Sequence, residues 1–488
     1  MLVCSTLMFA ALCAVPINAH PNFVLLLTDD QDLLLNGLLP MKNTVKLIGN
    51  QGKTFLNSFV NSPICCPSRS TLLTGKYSHN TGVTNNSISG NCSSKLWQNN
   101  HEVLSIASML KQQANYVNFY AGKYLNQYGS TKVGGTEHVP QGYDWWLGLK
   151  GNSKYYNYTL SINGTAKFFS NQYLTDVIRD YALDFLNGVK SAPFFMTLAT
   201  PACHAPFTPA ERHKGLFVNE TVVRTPSFNA TPANKHWLVR MEPTHLPEDV
   251  AVLDDIQRRR LQTLVAVDEL VQQVLDKLEE IGVLDNTYLI FTSDNGYHIG
   301  QFTQPWDKRQ PYQTDVKVPF MIRGPNIPGK TLTNYPISFV DVLPTILDLA
   351  GLQTSTKVDG QSFKHVLFQR DEIKFQRNVF IEYYGEGNKK SVSQDCSKGW
   401  GDYNDLAECS PESWCKCQDS RNNTYTCVIQ MSNTKSFKFC KFNDQLNYTE
   451  AYNLSDDPYE LINVAQSMSP EKLQDFNDVL RKFKLTFF

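Results

Sequence analysis

The stretch Cys65-Cys66-Pro67-Ser68-Arg69, continuing Ser70-Thr71-Leu72-Leu73-Thr74-Gly75-Lys76, has the residue types and spacing of a reactive loop-to-helix junction. Pro67 stands near a helix start and Gly75 at its end. That puts the Cys65 thiol where a helix N-terminus, with Arg69 nearby, favours an anion. By themselves these residues mean a reactive cysteine or a disulfide-bonded one. Other polar residues follow apolar runs. Asn22–Leu27 ends in Thr28-Asp29-Asp30-Gln31-Asp32, Tyr116–Ala121 in Gly122-Lys123, Phe194–Thr200 shortly before His204, and Tyr288–Thr292 before Asp294-Asn295. In open α/β sheets ligands bind beyond the carboxyl ends of the strands. Folding alone gives no reason for polar residues to recur there four times.

The elements that must position these groups follow from periodicity. The four apolar runs read as buried strands. Helical periodicity marks Val103–Gln112, Tyr173–Val189 and Ile256–Ile281 between them. Strands alternating with helices predict a sheet covered on both faces, an α/β fold. Beyond residue 375 the texture turns to Tyr, Asn, Cys and short alternating runs such as Val379–Tyr383. A smaller antiparallel sheet is expected there, closed by a helix near Pro470–Lys484. Residues 20–374 are accordingly the large unit and 375–488 a disulfide-rich smaller one.

Among 488 residues, 42% are hydrophobic and 19% charged, an ordinary globular balance, and the formal net charge is −1. No global field draws anionic partners, so nucleic acid is not an expected partner, and an anionic substrate must be held by a few local cations. Residues 1–19 resemble a cleaved signal segment. No later segment reaches the ~20 apolar residues of a membrane span. Sequons at Asn85, Asn91, Asn157, Asn163, Asn219, Asn229, Asn422, Asn447 and Asn453 agree with a secretory route as a glycoprotein. Cys396, Cys409, Cys415, Cys417, Cys427 and Cys440 form an even cluster lacking paired CxxC units. It is expected to hold three disulfides rather than zinc, leaving Cys66, Cys92 and Cys203 to the large unit.

CxPSR followed by LTGK resembles the signature of the sulfatase family. The resemblance implies an alkaline-phosphatase/sulfatase-like mixed central sheet between helices. It also implies that Cys65 is converted to formylglycine by the formylglycine-generating enzyme, with Cys66 filling a variable position. By the same resemblance Asp29, Asp30, Asp294 and Asn295 join the modified Cys65 around a metal. Such oxygen ligands favour Ca2+, with Mg2+ as the other choice. Lys123 in AGKY and Lys308 in WDKRQPY match lysines that hold sulfate oxygens. His204 in PACHAPF matches the histidine at the leaving oxygen, and Arg69 and Lys76 match cations supporting the aldehyde hydrate. Many family members carry histidine two residues after the first sulfate lysine. Leu125 stands there, leaving Asn126, His79 and His298 as candidates for its role.

GKYLNQYG, GYHIGQF, WDKRQPY, KHWLVR and IEYYGEG…YNLSDDP are similar to the members that remove 6-O-sulfate from N-acetylglucosamine of heparan and keratan sulfate. The substrate implied is a sulfated glycosaminoglycan, the setting lysosomal or, alternatively, secreted, with room for a homodimer. An arylsulfatase or a heparan 6-O-endosulfatase is the competing specificity, although the long basic insertion of the endosulfatases is missing. A phosphatase or a non-catalytic glycan-binding protein fits less well.

Overall fold

A computed structural model describes residues 20–189, 192–242, 244–354, 358–386, 416, 418, 420–444 and 446–485. The signal segment and Cys396, Cys409, Cys415 and Cys417 lie outside the described residues. The first strand, β1 (Asn22–Thr28), is buried along its whole length. Phe23, Leu25 and Leu27 face one core, Val24 and Leu26 the other, so a continuous apolar run serves two layers.

The remaining strands of the large sheet are β2 (Lys53–Phe55), β3 (Val117–Gly122), β4 (Trp145–Leu149), β5 (Tyr158–Ile162), β6 (Thr165–Phe169), β7 (Phe194–Ala199), β8 (Thr287–Ser293), β9 (Phe320–Arg323) and β10 (Thr331–Thr333). Their order is β10-β2-β9-β8-β1-β7-β3-β4-β5-β6. The centre, β8-β1-β7-β3-β4, is parallel. β9 pairs antiparallel with β8 and β2, and β4, β5 and β6 form an antiparallel meander. This is the expected mixed sheet. The antiparallel pairings on either side, and β10 lying parallel to β2 at one edge, are additions to the parallel core that the sequence pattern predicted.

One face is covered by α1 (Cys65–Thr74), α2 (Ile106–Ala114) and α5 (Val342–Leu349), through Leu72, Ile106, Leu110, Val342 and Ile346. The other is covered by α3 (Leu174–Gly188) and α4 (Ala251–Glu280), through Val177, Phe185, Leu264, Val271 and Val274. The four-stranded antiparallel sheet comprises β11 (Gln376–Tyr384), β12 (Thr424–Ser432), β13 (Ser436–Phe442) and β14 (Thr449–Asn453). Cys427 and Cys440 sit opposite each other on β12 and β13 and are bridged. Cys66 bridges to Cys92.

The alternation of this small sheet sorts two sets of contacts. Val379, Ile381, Tyr383, Tyr425, Ile429 and Phe442 enter the same core as α1, α2 and α5. Val428, Phe439 and Ala451 face Phe476 and Leu480 of α6 (Pro470–Leu485). Residue 375 thus marks a change of architecture while the apolar core continues across it. Of the sequon asparagines, Asn157, Asn163, Asn219, Asn229, Asn447 and Asn453 are exposed and Asn91 and Asn422 partly so. Asn85 is buried, its Oδ1 accepting from the Ser87 N–H and hydroxyl.

Because that core is shared, a chain ending at residue 374 should expose the apolar surface that β11 and β12 cover. We expect it to be recovered as aggregate, or without near-UV circular dichroism, when expressed beside the full chain. A soluble, cooperatively unfolding fragment would mean that the large unit completes its own core.

Candidate active site

Neighbouring parallel strands β8, β1, β7 and β3 bring Asp294-Asn295, Asp29-Asp30, His204 and Lys123 to one edge of the sheet. The loops there are stitched together. The Asp29 N–H donates to the Ala202 carbonyl at 2.7 Å, and the Cys203 N–H donates to the Asp29 carbonyl at 2.6 Å. α1 points its first turn at this edge. The Cys66 N–H, an orphan donor of that turn, is taken by Asn86 Oδ1 at 2.8 Å. The Ser68 hydroxyl donates to the Asp294 carbonyl at 2.5 Å. Gly75 ends the helix at φ 65°, where a side chain would be strained, and its N–H returns to Thr71 O. Cys66 is therefore more than a filler: its disulfide to Cys92 pins the first turn of α1 while Cys65 remains a free thiol.

Three carboxylates and three cations are buried together here. Asp29 Oδ2 accepts from Lys123 Nζ at 2.7 Å and from the Ser153 hydroxyl at 2.5 Å, with Arg69 Nη2 at 3.8 Å. Asp30 accepts from Lys308 Nζ at 2.6 and 2.7 Å and from Asn295 Nδ2 at 2.7 Å. Asp294 accepts from Arg69 Nε at 2.7 Å and from the Asp30 N–H at 3.0 Å. Burial pushes the Asp29 and Asp30 carboxyls up. The surrounding cations, Lys123 foremost for Asp29 and Lys308 for Asp30, nevertheless hold both below the usual range. Asp294 comes out the other way, raised to about 6 by burial and by Asp29. Burial lifts the Cys65 thiol to about 12 despite Lys123 and Lys308. An unmodified Cys65 is thus a poor source of thiolate.

His204 Nδ1 lies 2.7 Å from the Ala205 carbonyl, which can only accept. The proton of the neutral ring is therefore on Nδ1, and Nε2 is left toward Asp30, 3.9 Å away. Burial and Lys308 lower its pKa to about 4.

The donor set fits a hard divalent cation. Asp29, Asp30, Cys65 and His204 offer atoms within 4.8 Å of one another. Asn295 Oδ1 is buried with no hydrogen-bond partner among the described residues, and so is Arg69 Nη2. An orphaned carbonyl oxygen beside buried carboxylates is what an oxygen-ligated ion satisfies.

Lys76 requires a correction. It follows the helix cap, at the far end of α1 from Cys65, roughly 15 Å away by helix rise. His101 and Asp359 are the groups that feel its charge. It cannot support chemistry at Cys65. Leu125 lies in the apolar core. His79 is turned to Glu382 and packed against Phe483. Asn126 donates to Asn152, its Oδ1 buried without a partner among the described residues. His298, paired across a short strand from Asp307, is held at Nδ1 by Asp315 and keeps a buried Nε2 with no partner among the described residues.

The sequence reading missed Ser153, Ser68 and the clamp on the Lys308 segment. Arg309 O accepts from Asn423 Nδ2 at 3.1 Å and Tyr425 OH at 2.9 Å, and Pro311 O accepts from Lys438. Arg309 Nε donates to Glu386 at 2.6 Å, and the Gln313 N–H donates to Glu460 at 2.7 Å. Tyr425 and Lys438 come from the small sheet, Asn423 from the turn that leads into β12, and Glu460 from the loop that follows β14. Ser153 and Tyr425 are lone residues with no sequence signal to set them apart, whereas Ser68 stands inside the CxPSR motif, which gives its place without its partner.

Taken together, the fold and this edge define an α/β enzyme with a mixed central sheet and a buried, charge-compensated site at the carboxyl ends of its strands. The Sulfatase family profile matches residues 21–352. Human N-acetylglucosamine-6-sulfatase is 45% identical over 465 residues, covering 94% of this chain and 83% of that one. An extracellular sulfatase SULF-1 homolog of Drosophila melanogaster is 40% identical over 362 residues, covering 72% of this chain and 32% of that one. A protein solved with its substrate D-glucosamine-2-N,6-O-disulfate superposes with TM-score 0.75 at 22% identity, covering 95% and 97% of the two chains. A phosphonate monoester hydrolase of Silicibacter pomeroyi superposes at 0.70 and 17% identity, covering 96% and 94%. This chain belongs to the sulfatase family.

Removing one cation should strand a buried carboxylate. Lys123→Met and Lys308→Met are each expected to lose about 3–5 kcal/mol of stability in urea unfolding. Lys111→Met, which breaks only a half-exposed pair with Asp144, should stay within about 1 kcal/mol.

Proposed function

We propose that this enzyme removes the 6-O-sulfate from N-acetylglucosamine residues of heparan or keratan sulfate, acting at chain ends. The supporting observation is the 45% identity, over 94% of the chain, to a relative of that name, combined with the compensated site around Cys65. We further propose formylglycine at Cys65 and a divalent ion, calcium by the oxygen chemistry of its ligands, held by Asp29, Asp30, Asp294 and Asn295. The exposed sequons and the bridged cysteines support a glycoprotein of the secretory route, bound for the lysosome.

Bound together, the two groups would supply a hydrated aldehyde as nucleophile and a positive charge to draw electrons from the sulfate. The chain's own residues do the rest. Lys123 and Lys308 are fixed ammonium groups, kept charged by Asp29 and Asp30 against the pull of burial, and can receive sulfate oxygens with little reorganisation. Arg69, locked on Asp294 and on the Lys123 carbonyl, keeps positive charge beside the nucleophile. His204 keeps Nε2 toward the site. Its pKa is low because burial and Lys308 both disfavour the cation, and an incoming sulfate would raise it. It can then pass a proton to the departing sugar oxygen. Of the candidates to replace the histidine missing at Leu125, His298 combines a ring oriented by Asp315 with a buried Nε2 that has no partner among the described residues.

The reading is tested with protein made alongside the formylglycine-generating enzyme. Sulfate release from 6-sulfated N-acetylglucosamine should exceed release from intact heparin at matched sulfate concentration and acidic pH. Faster internal desulfation of heparin would favour an endosulfatase, and activity on aryl sulfates alone would reject the sugar. Cys65→Ala should abolish turnover. Cys65→Ser should accumulate a sulfated enzyme visible by mass, because it lacks the second hydroxyl needed for release. Full activity in Cys65→Ala would refute the mechanism.

A further inference from the structure

Between the large body and the hairpin that joins β12 to β13 lies a cavity of about 300 Å³ to which the catalytic groups contribute nothing. Gln313, Lys317, Asn334, Ser432, Lys435 and Ser455 are among its lining residues. That size is at the lower end of small-molecule sites. Gln313 and Lys317 are four residues apart on one helical turn, Gln313–Val316 with Lys317 as its cap, so their side chains leave on the same side.

Both side chains have unmet bonding capacity. Gln313 Nε2 is buried without an acceptor among the described residues. The Lys317 ammonium has no salt-bridge or hydrogen-bond partner among them. Burial alone lowers its pKa to about 8, with no carboxylate acting on it. The buried lysines of this molecule all have partners: Lys123, Lys308 and Lys438 sit on carboxylates, and Lys53, Lys235 and Lys416 donate to carbonyl or hydroxyl oxygens, whereas Lys317, partly buried, has none among the described residues. A partly desolvated cation without a counter-charge beside a buried amide donor without an acceptor is unfavourable, and an anion entering the cavity would satisfy both. The rim adds donors. Ser432 Oγ accepts the N–H groups of Thr434 and Lys435, and Ser455 Oγ accepts that of Ser436, so each hydroxyl proton remains available. Lys435, exposed on the hairpin, brings a second positive charge.

We propose that this cavity is a second oxyanion site, binding one sulfate group between Lys317 and the Gln313 amide. Choosing sulfate among oxyanions rests on the sulfatase function proposed above. The cavity and its unpaired donors do not depend on it. Two sources share this chemistry, free inorganic sulfate released by turnover and a sulfate carried on a glycan chain.

The test is lysine footprinting of the intact enzyme. A limiting acylating reagent is applied near neutral pH, and modification of Lys317 is read by peptide mass spectrometry, with exposed Lys330 as reference. Three conditions are compared at equal ionic strength: sodium chloride, sodium sulfate and a heparan-derived sulfated oligosaccharide. With an anion at ten times its Kd, Lys317 modification should fall about tenfold while Lys330 is unchanged. Protection by sodium sulfate supports the site with the free ion as ligand. Protection by the oligosaccharide alone supports it with a chain-borne sulfate. Equal modification of Lys317 in all three conditions overturns the proposal. Gln313→Met, which keeps the volume and backbone N–H, should weaken the protection severalfold. The same protection is expected in Cys65→Ala protein, so the outcome is independent of sulfate-ester hydrolysis. Failure of the glycan assay would in turn leave the footprint readable.

Discussion

Asp29, Asp30 and Asp294 are closed off from solvent at the carboxyl edge of the sheet, and each survives there because a cation is bonded to it. Isolated, a buried carboxylate would cost several kcal/mol or would take up a proton. The arrangement comes close to that limit at Asp294, where the single guanidinium of Arg69 does not outweigh burial and the neighbouring Asp29, so the group titrates near 6. Charge balance is therefore a constraint on the whole architecture: β1 and β8 supply the anions, while α1, β3 and the Lys308 segment must deliver the cations to within bonding distance. Displacing any one of these elements would leave a charge without its partner.

That constraint explains why the small sheet is part of the catalytic structure. Lys308 lies in a segment with little regular structure of its own. Its neighbours Arg309, Pro311 and Gln313 are fixed by Asn423, Tyr425, Lys438 and Glu460, which reach in from the small sheet and the segments that flank its strands. The sheet can hold the segment steady because its inner face shares the core of α1 and α2. Packing thus turns a flexible lysine into a fixed charge, the property that electrostatic catalysis requires.

What the sequence revealed follows from the kind of interaction involved. β1, β3, β7 and β8 were legible because strands covered on both faces are continuous apolar runs, and the polar residue closing each run showed where the site lies. α3, α4 and α6 were legible from amphipathic periodicity, with ends displaced by a few residues. The meander of β4 to β6 was not anticipated, since residues 145–169 mix Gly, Asn, Lys and aromatic residues without a clean period. Lys76 was misplaced because its motif neighbours are close in sequence while the helix carries it away from Cys65. Ser153 and Tyr425 could not be found at all. Their importance comes from partners 124 and 116 residues distant.

The remaining question is why a cysteine stands at the centre of a site that suppresses thiolate. A thiol raised to about 12 by burial, bonded weakly to Asp29 Oδ1 at 3.7 Å, lacks the ready ionisation that cysteine hydrolases use. The surroundings suit a different occupant of that position. Lys123 and Lys308 lie near enough to lower the thiol's pKa, which burial nonetheless keeps high, and Arg69 lies one turn along the same helix. Cations so placed would stabilise an oxygen nucleophile and a bound sulfate alike, and they do not need the sulfur. On this physical ground, as well as by family membership, the proposed oxidation of Cys65 makes sense of the site. On that proposal the cationic edge is a binding place for oxyanions, and a side chain with two hydroxyls on one carbon would use it where a buried thiol cannot.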